Sequence, residues 1–441
     1  MLAAITVGAS PDLDPSAAVF ASRRAGEPWF CFEQPDRGGS AVAALGSAHE
    51  LTAAGPDRFA RVAAAWRRLA ASAAEDEPDD VPGTGPIAAG GFAFAPSGGA
   101  SRTWEGFAPA SLCVPELTLA RRGGEVRLTL IACATADDTV EDLVAGLEAR
   151  LSELRAPELP MLDPAPTGRY EVASALPPGH YESAVQRGVE RIRAGAMDKL
   201  VLAREVQVHS PTPHDPAAAF GVLREAFPGC YVACVGRGDG AFLLASPELL
   251  VRREGRRAST LALAGSTRRS ADPAVDAHLG EQLLRSAKDR EEQEIVVRRI
   301  ERTLRPHAVW LAVAPEPALV SIANIQHLAT PIRAQLRRPV STLELVGLMH
   351  PTPAVGGEPW AAAERVIPEL EGLDRGWYAG PVGWTDARED GEFCVGLRCA
   401  LLRGETAHCY AGVGVVRDSD PAAELAETEV KLEAMLPVLA G

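Results

Sequence analysis

Asp198-Lys199-Leu200-Val201-Leu202-Ala203-Arg204-Glu205-Val206 is the stretch on which the fold turns. It reads as a strand, and Lys199 stands at its start. Just before it, Tyr181, Val185, Val189 and Ile192 recur at helical spacing and Gly195 marks a helix end, so a helix delivers the chain directly into the strand. Two more strand-like runs follow, Cys230 to Val235 and Ala241 to Leu244, joined by Gly236-Arg237-Gly238-Asp239-Gly240. That Arg-Gly-Asp is read as a hairpin turn, not an adhesion signal. Working outward, Leu117 to Leu130 forms a hairpin turning at Arg122-Gly123-Gly124, and two long amphipathic helices are expected, from Ser286 to Leu304 and from Ala422 to Leu439.

The organisation has weak seams. Ala74 to Gly91, with its acidic Pro/Gly-rich run, is expected to be a surface excursion, and a second Pro-rich break runs from Ala156 to Gly168. We expect one domain over residues 1–441, divided into an N-terminal scaffold half (1–170) and a chemistry-bearing half (175–440).

Composition narrows the class. With 46% hydrophobic and 23% charged residues and no apolar run long enough to span a bilayer, the chain reads as a soluble globular protein. Its start, Met1-Leu2-Ala3-Ala4-Ile5-Thr6, lacks the basic leader of an exported protein, so a cytoplasmic location and no membrane partner are expected. A net charge of −15 argues against a nucleic-acid surface, and any anionic ligand must be met by local cations. Eight cysteines form no CxxC pair, and Cys230, Cys234, Cys394 and Cys399 are expected to be buried free thiols.

One compositional fact is sharper. Of 44 basic residues only three are lysine: Lys199, Lys288 and Lys431. Arginine serves any solvated surface, whereas a lysine amine is compact and can be made neutral by burial. The lysines also keep acidic company. Asp289 and Glu292 are three apart on one predicted helix, and Glu424 and Glu427 repeat that spacing on the other. Lys288 precedes Glu292 by four residues and Lys431 follows Glu427 by four. Either pattern alone fits a solvated helix face with surface ion pairs; together, four converging carboxylates would suit Mg²⁺, completed by water and an anionic substrate.

Several segments, read in order, carry a resemblance. Asp198 to Arg204 and Ala245-Ser246-Pro247-Glu248-Leu249-Leu250 resemble signature segments of the chorismate-utilising enzymes. So do Leu263 to Arg269, Ser286 to Arg290, His327 to Pro331 and His350-Pro351-Thr352-Pro353-Ala354-Val355-Gly356-Gly357. Asp374 to Trp384, Leu397-Arg398-Cys399, Ala411 to Gly414 and Glu427 to Lys431 complete the set, and Gly90-Gly91-Phe92-Ala93-Phe94 resembles the family's N-terminal segment. Within the family the likeness is to isochorismate synthases. It implies a single α+β domain of two stacked, mainly antiparallel sheets wrapped by helices, and water attack at C2 of chorismate with loss of the C4 hydroxyl.

The resemblance also implies roles. Lys199 would be the base and Glu248 the acid, so the lysine must be held neutral and the glutamate protonated. Glu292 and Glu427 would bind Mg²⁺, with Asp289 and Glu424 beside it or acting through water. Arg398, Lys431 and the backbone at Gly412 and Gly414 would hold the second substrate carboxylate, with Gly265, Ser266, His327, Ala354, Tyr378 and Leu397 completing the pocket. Relatives that use ammonia to make anthranilate or aminodeoxychorismate need a glutaminase; this chain has no such segment, and it carries Ala264 where some place a nucleophilic lysine. Salicylate synthases share Lys199 and Glu248, but Ala354 stands where they tend to have threonine. Tyr378 is ambiguous, since siderophore-type synthases often have phenylalanine there whereas menaquinone-type and salicylate synthases can carry tyrosine; the menaquinone route is the expectation. A catalytically silent anion-binding protein is the non-enzymatic alternative, disfavoured by retention of both Lys199 and Glu248. A monomer or homodimer is expected.

Overall fold

The computed structural model describes residues 1–75, 81–163, 166–322 and 324–440. The lysine strand forms as expected, over Lys199–His209, behind a helix over Pro178–Arg193 that buries Tyr181, Val185, Val189 and Ile192. It pairs antiparallel with Thr406–Val415, setting Val201 opposite Gly414 and Ala203 opposite Gly412. The predicted hairpins are present, Leu117–Arg122 with Glu125–Cys133 and Tyr231–Arg237 with Gly240–Ser246. Gly238 and Asp239 make the second turn, while Arg237 is buried in its strand.

Among the described residues the strands form two sheets, one of thirteen strands and one of ten. The larger runs from Glu171–Ser174 through the lysine strand, Thr406–Val415, Cys399–Arg403 and Gly240–Ser246 to the N-terminal strands, ending beyond Leu2–Ala9. The smaller runs from Ala308–Val313 through Ile325–Leu336, Arg257–Arg268 and Leu249–Glu254 to His49–Ala53. Both therefore draw strands from both halves of the chain. Pairing is antiparallel except between Leu2–Ala9 and Ala74–Glu75. Phe30, Phe32 and Val42 from the larger sheet share one buried apolar layer with Leu51, Ile87 and Leu112 from the smaller. Alternate residues Cys31, Ala43 and Leu45 belong to a second layer with Ala18, Val19 and Phe220 of flanking helices, as the two-residue period of a strand requires. Each of the larger side chains here, Val, Leu, Ile or Phe, contributes roughly 1.5–3 kcal/mol on burial. Cys230, Cys234, Cys394 and Cys399 are buried free thiols within these layers.

Three expectations need correction. Ala74 to Gly91 is not wholly a surface excursion. Residues 76–80 lie outside the described residues, but Ile87–Phe92 is a buried strand between Pro381–Asp386 and Ala110–Val114. Its glycines serve close packing, since a Cβ on Gly90 would stand 2.2 Å from the Ser111 carbonyl and one on Gly91 2.5 Å from Trp377. The C-terminal helix covers Pro421–Leu432, with a separate turn at Leu436–Leu439. Pro437 explains the break: it lacks an N–H and its ring would collide with the Glu433 carbonyl. The third correction concerns the lysine pairs and belongs to the site. Among the described residues no helix is long and apolar enough to cross a membrane.

Candidate active site

The site forms where the two sheets and two capped helices meet. Ser286 caps the helix Ala287–Leu304 by accepting from the Asp289 amide at 3.3 Å, and Asp420 caps Pro421–Leu432 by accepting from the Ala423 amide at 2.9 Å. These caps fix the turns that carry Asp289, Glu292, Glu424 and Glu427. Between them the strand Arg257–Arg268 bulges at Gly265, whose φ of +69° is open to glycine at little cost. A Cβ there would also crowd Asp289 at 3.0 Å.

A narrow cavity of about 60 Å³ opens at this junction. It is lined by Glu248, Gly265, Ser266, Glu292, His327, Ala354, Tyr378, Leu397, Arg398, Gly412, Gly414, Glu427 and Lys431, thirteen of the sixteen residues nominated from sequence. Lys199, Asp289 and Glu424 stand one layer behind. A larger open cleft of about 580 Å³, lined by residues such as Phe59, His307 and Arg338, lies elsewhere and contains none of the nominated residues. Sequence reading missed Val201, Pro247, Leu263, Val355, Tyr410 and Ala411 as lining residues. Val201 was findable, because it lies two residues along the strand from Lys199. Tyr410 was not, since its ring reaches the site by stacking on Tyr378, centroids 5.4 Å apart.

All three lysines of the chain bind nominated carboxylates. Lys199 is fully buried with Nζ 2.8 Å from Glu292 Oε1, but off the hydrogen-bonding direction. Lys288 donates to Glu424 Oε1 at 2.7 Å, and Lys431 lies 2.8 Å from Glu427 Oε1 while donating to the Gly412 carbonyl at 2.9 Å. The spacing had suggested Lys288 with Glu292 on one helix face. Instead Lys288 crosses to the other helix, because Lys199 already occupies Glu292. Nor do the four carboxylates close on one point: among the described residues no three acidic or other ligating groups are gathered to hold an ion. Each of three carboxylates is turned toward its lysine.

Gly414 and Gly412 make room for this. A Cβ on Gly414 would stand 2.2 Å from Glu292 Oε1 and 2.9 Å from Lys199 Cε, and one on Gly412 would stand 2.6 Å from the Tyr378 hydroxyl. Any larger residue would displace Lys199 and Glu292 or the tyrosine.

Protonation follows from burial and neighbours. Burial raises the Glu248 carboxyl to about 7, against the pull of Lys199, a 3.4 Å hydrogen bond from Thr352 Oγ1, and Arg398. Burial also raises Asp289, with Glu292 and Glu427 adding repulsion, and raises Glu424 despite Lys288. Glu427 goes the other way: burial pushes it up, but Lys431, the Ser266 hydroxyl at 2.7 Å and Lys288 outweigh it. Burial, with Arg398 and Lys431 nearby, lowers His327 to about 3, so the ring is neutral. Arg398 can only donate, so His327 Nε2 accepts from it at 3.0 Å and Nδ1–H donates to the Gly265 carbonyl at 3.1 Å. The histidine thus aims a buried arginine whose own φ is +47°.

The arrangement offers a buried acid titrating near neutrality, a buried amine, two cations facing a cavity, and a crowd of hard oxygen donors. Comparison with known proteins agrees. The family model described as chorismate binding enzyme matches residues 2–440. The chain is 39% identical to the salicylate biosynthesis isochorismate synthase of Pseudomonas aeruginosa, over 94% of this chain and 85% of that one. It is 33% identical to isochorismate synthase MenF of Bacillus subtilis, over 87% and 82%. Its fold matches the solved structure of the menaquinone-specific isochorismate synthase MenF from Escherichia coli, with a TM-score of 0.82 and 27% identity over 100% of this chain and 95% of that one. With the motifs, the two-sheet fold and the family match in agreement along nearly its whole length, the chain belongs to the chorismate binding enzyme family.

Proposed function

We propose that this isochorismate synthase adds water to C2 of chorismate through Lys199 and expels the C4 hydroxyl through Glu248. The activity rests on relatives of that name aligned over most of both chains. The assignment of roles is carried by one observation, a fully buried glutamate held at about 7 within the electrostatic reach of a fully buried lysine. As water attacks C2, its proton passes to Lys199 Nζ; as the ring double bonds shift, the C4 oxygen leaves as water with the proton of Glu248. The step is proton-neutral. It leaves an ammonium near a carboxylate, and return of one proton from lysine to glutamate resets the pair.

Arg398, aimed by His327, and Lys431 meet the carboxylate that an acidic protein must otherwise repel. Glu292 and Glu427 both face the cavity; behind them Asp289 is repelled by both and Glu424 by Glu427. That donor set fits Mg²⁺ held by two carboxylates, water and substrate, rather than by all four acids. When bound, the ion offsets the ring carboxylate and polarises the substrate. We place the protein in the cytoplasm, consistent with its free thiols, as a monomer or homodimer without a glutaminase, and favour menaquinone supply on the strength of Tyr378.

Incubation with chorismate and Mg²⁺ in ¹⁸O-labelled water tests the reading. Isochorismate should be the main product, without added ammonia, and should carry one ¹⁸O at C2. Unlabelled isochorismate would exclude water attack, and equal, dominant salicylate and pyruvate would replace this reading with a lyase.

A further inference from the structure

The lysine strand lies near the rim of its sheet, and its outer edge is only partly paired. Lys199 and Leu200 pair with Gly357–Glu358, and Val206 to His209 pair with Glu171–Ser174. Between these short partners the Val201 amide still reaches the Gly356 carbonyl at 2.7 Å, but the Val201 carbonyl and the Ala203 amide face outward with no strand to receive them, a state a buried strand does not tolerate. Two side chains fill the gap. Glu371 Oε1 accepts from the Ala203 amide at 2.7 Å, and Arg375 Nη2 donates to the Val201 carbonyl at 2.9 Å. The two are themselves paired, Arg375 Nε donating to Glu371 Oε2 at 3.0 Å. Arg375 Nη1 then donates to the Val355 carbonyl at 2.8 Å, and its guanidinium lies 5.7 Å from the centre of the Tyr378 ring. Both residues are buried.

Apart from the Phe94 ring, 4.2 Å from the Arg375 guanidinium, the groups this pair touches lead to the cavity. The Val201–Ala203 segment continues from Lys199; Val355 closes the loop that presents Ala354 to the cavity and Thr352 to Glu248; Tyr378 is a cavity wall. We infer that Glu371 and Arg375 are positioning residues for catalysis: a side-chain ion pair that stands in for a missing strand and holds the lysine strand, the Thr352–Gly356 loop and Tyr378 in one register. The fork of an arginine is required, because one cation must reach two carbonyls and a carboxylate in fixed directions. A lysine could supply the charge but not the geometry. Neither residue touches substrate.

The inference rests on the isochorismate synthase reading, which the wild-type assay settles first and separately. Arg375→Lys and Glu371→Gln are then compared with Arg150→Lys, a substitution in a buried ion cluster remote from the cavity. Both site-side variants should lower kcat tenfold or more with KM changed less than about threefold. Loosening the Thr352 contact, which lowers Glu248, should also move the alkaline limb of the kcat/KM profile upward. Arg150→Lys should reduce thermal stability with kcat and the pH profile unchanged. If Arg375→Lys and Glu371→Gln melt cooperatively and keep wild-type kcat and pH profile, the pair is only structural and the inference is wrong. If neither accumulates folded, the pair is a folding element and the positioning role is likewise lost.

Discussion

Two buried ion clusters in this molecule are built from different cations. In the N-terminal half, Arg150 alone engages Glu27 at 2.8 Å, Glu153 at 2.9 Å and Glu116 at 3.4 Å, its fork spread over three carboxylates. At the cavity the same number of carboxylates is divided among three lysines, one each. A guanidinium with several directed partners is a fixture, whereas an ammonium holding one carboxylate is a point charge that an arriving ion can displace. The difference teaches where charge is meant to be renegotiated. The Arg150 cluster ties the helix Val140–Ser152 to the loops that carry Glu27 and Glu116; the lysine cluster gives each of three acids at the cavity its own exchangeable counter-charge.

Removing the metal should break the comparison most completely. With chelator present, turnover should vanish while the fold is unaffected, and Glu292→Gln or Glu427→Gln should raise the Mg²⁺ concentration needed for half-activity. Full activity in either variant with chelator present would take the metal out of the mechanism.

Making the cavity cation like the scaffold one is the next largest effect. Lys199→Arg preserves positive charge, yet should be nearly as inactive as Lys199→Ala, with kcat down about a hundred to ten thousand-fold and substrate affinity changed less. A base needs a lone pair, and arginine does not give up its proton. The space is also closed, with Gly414 already admitting Lys199 and Glu292 side by side. Near-normal turnover in a folded Lys199→Arg protein would reduce Lys199 to a cation.

Much of this was legible before the fold was known, and what was not has a physical reason. Single-element features carried well: the helix beginning at Ser286, the strand after Lys199 and the spacing of Asp289 with Glu292 all depend on local sequence. Pairings between elements did not. Helical spacing put Lys288 with Glu292, and only the register of the lysine strand against Thr406–Val415 shows that Lys199 arrives there first. Gly90 and Gly91 looked like a loop because a glycine needed for close packing and one needed for a turn are the same letter. Glu371 and Arg375, four apart where a helix gives way to a loop, resemble an ordinary surface pair until the gap in the sheet edge is seen.

Acid chemistry sharpens the comparison more gently. Glu248 must be protonated to act, so with a carboxyl at about 7 the rate at low substrate should decline as pH rises through neutrality, and Glu248→Gln should lose both turnover and that decline. A pH profile flat from 6 to about 8.5 would move the acid role elsewhere.

The smallest effect concerns stability and has the opposite sign. An unfolded glutamate titrates near 4.3, so between there and about 7 the folded protein binds a proton that the unfolded chain does not. The unfolded state binds fewer protons in that window, and the Glu248 contribution therefore lowers stability as pH rises through it, reaching roughly 4 kcal/mol above neutrality. Glu248→Gln removes this titration. The stability difference between variant and wild type, read from urea midpoints, should shift in favour of the variant between pH 5 and pH 8, while all other titrations cancel in the difference. The Arg150 cluster supplies the contrast, because Glu27→Gln removes a partner from a permanently charged guanidinium and should cost stability at both pH values. A difference for Glu248→Gln that does not change with pH would mean that its carboxyl is ionised throughout, and a residue that is never protonated at pH 7 cannot be the acid that releases the C4 hydroxyl.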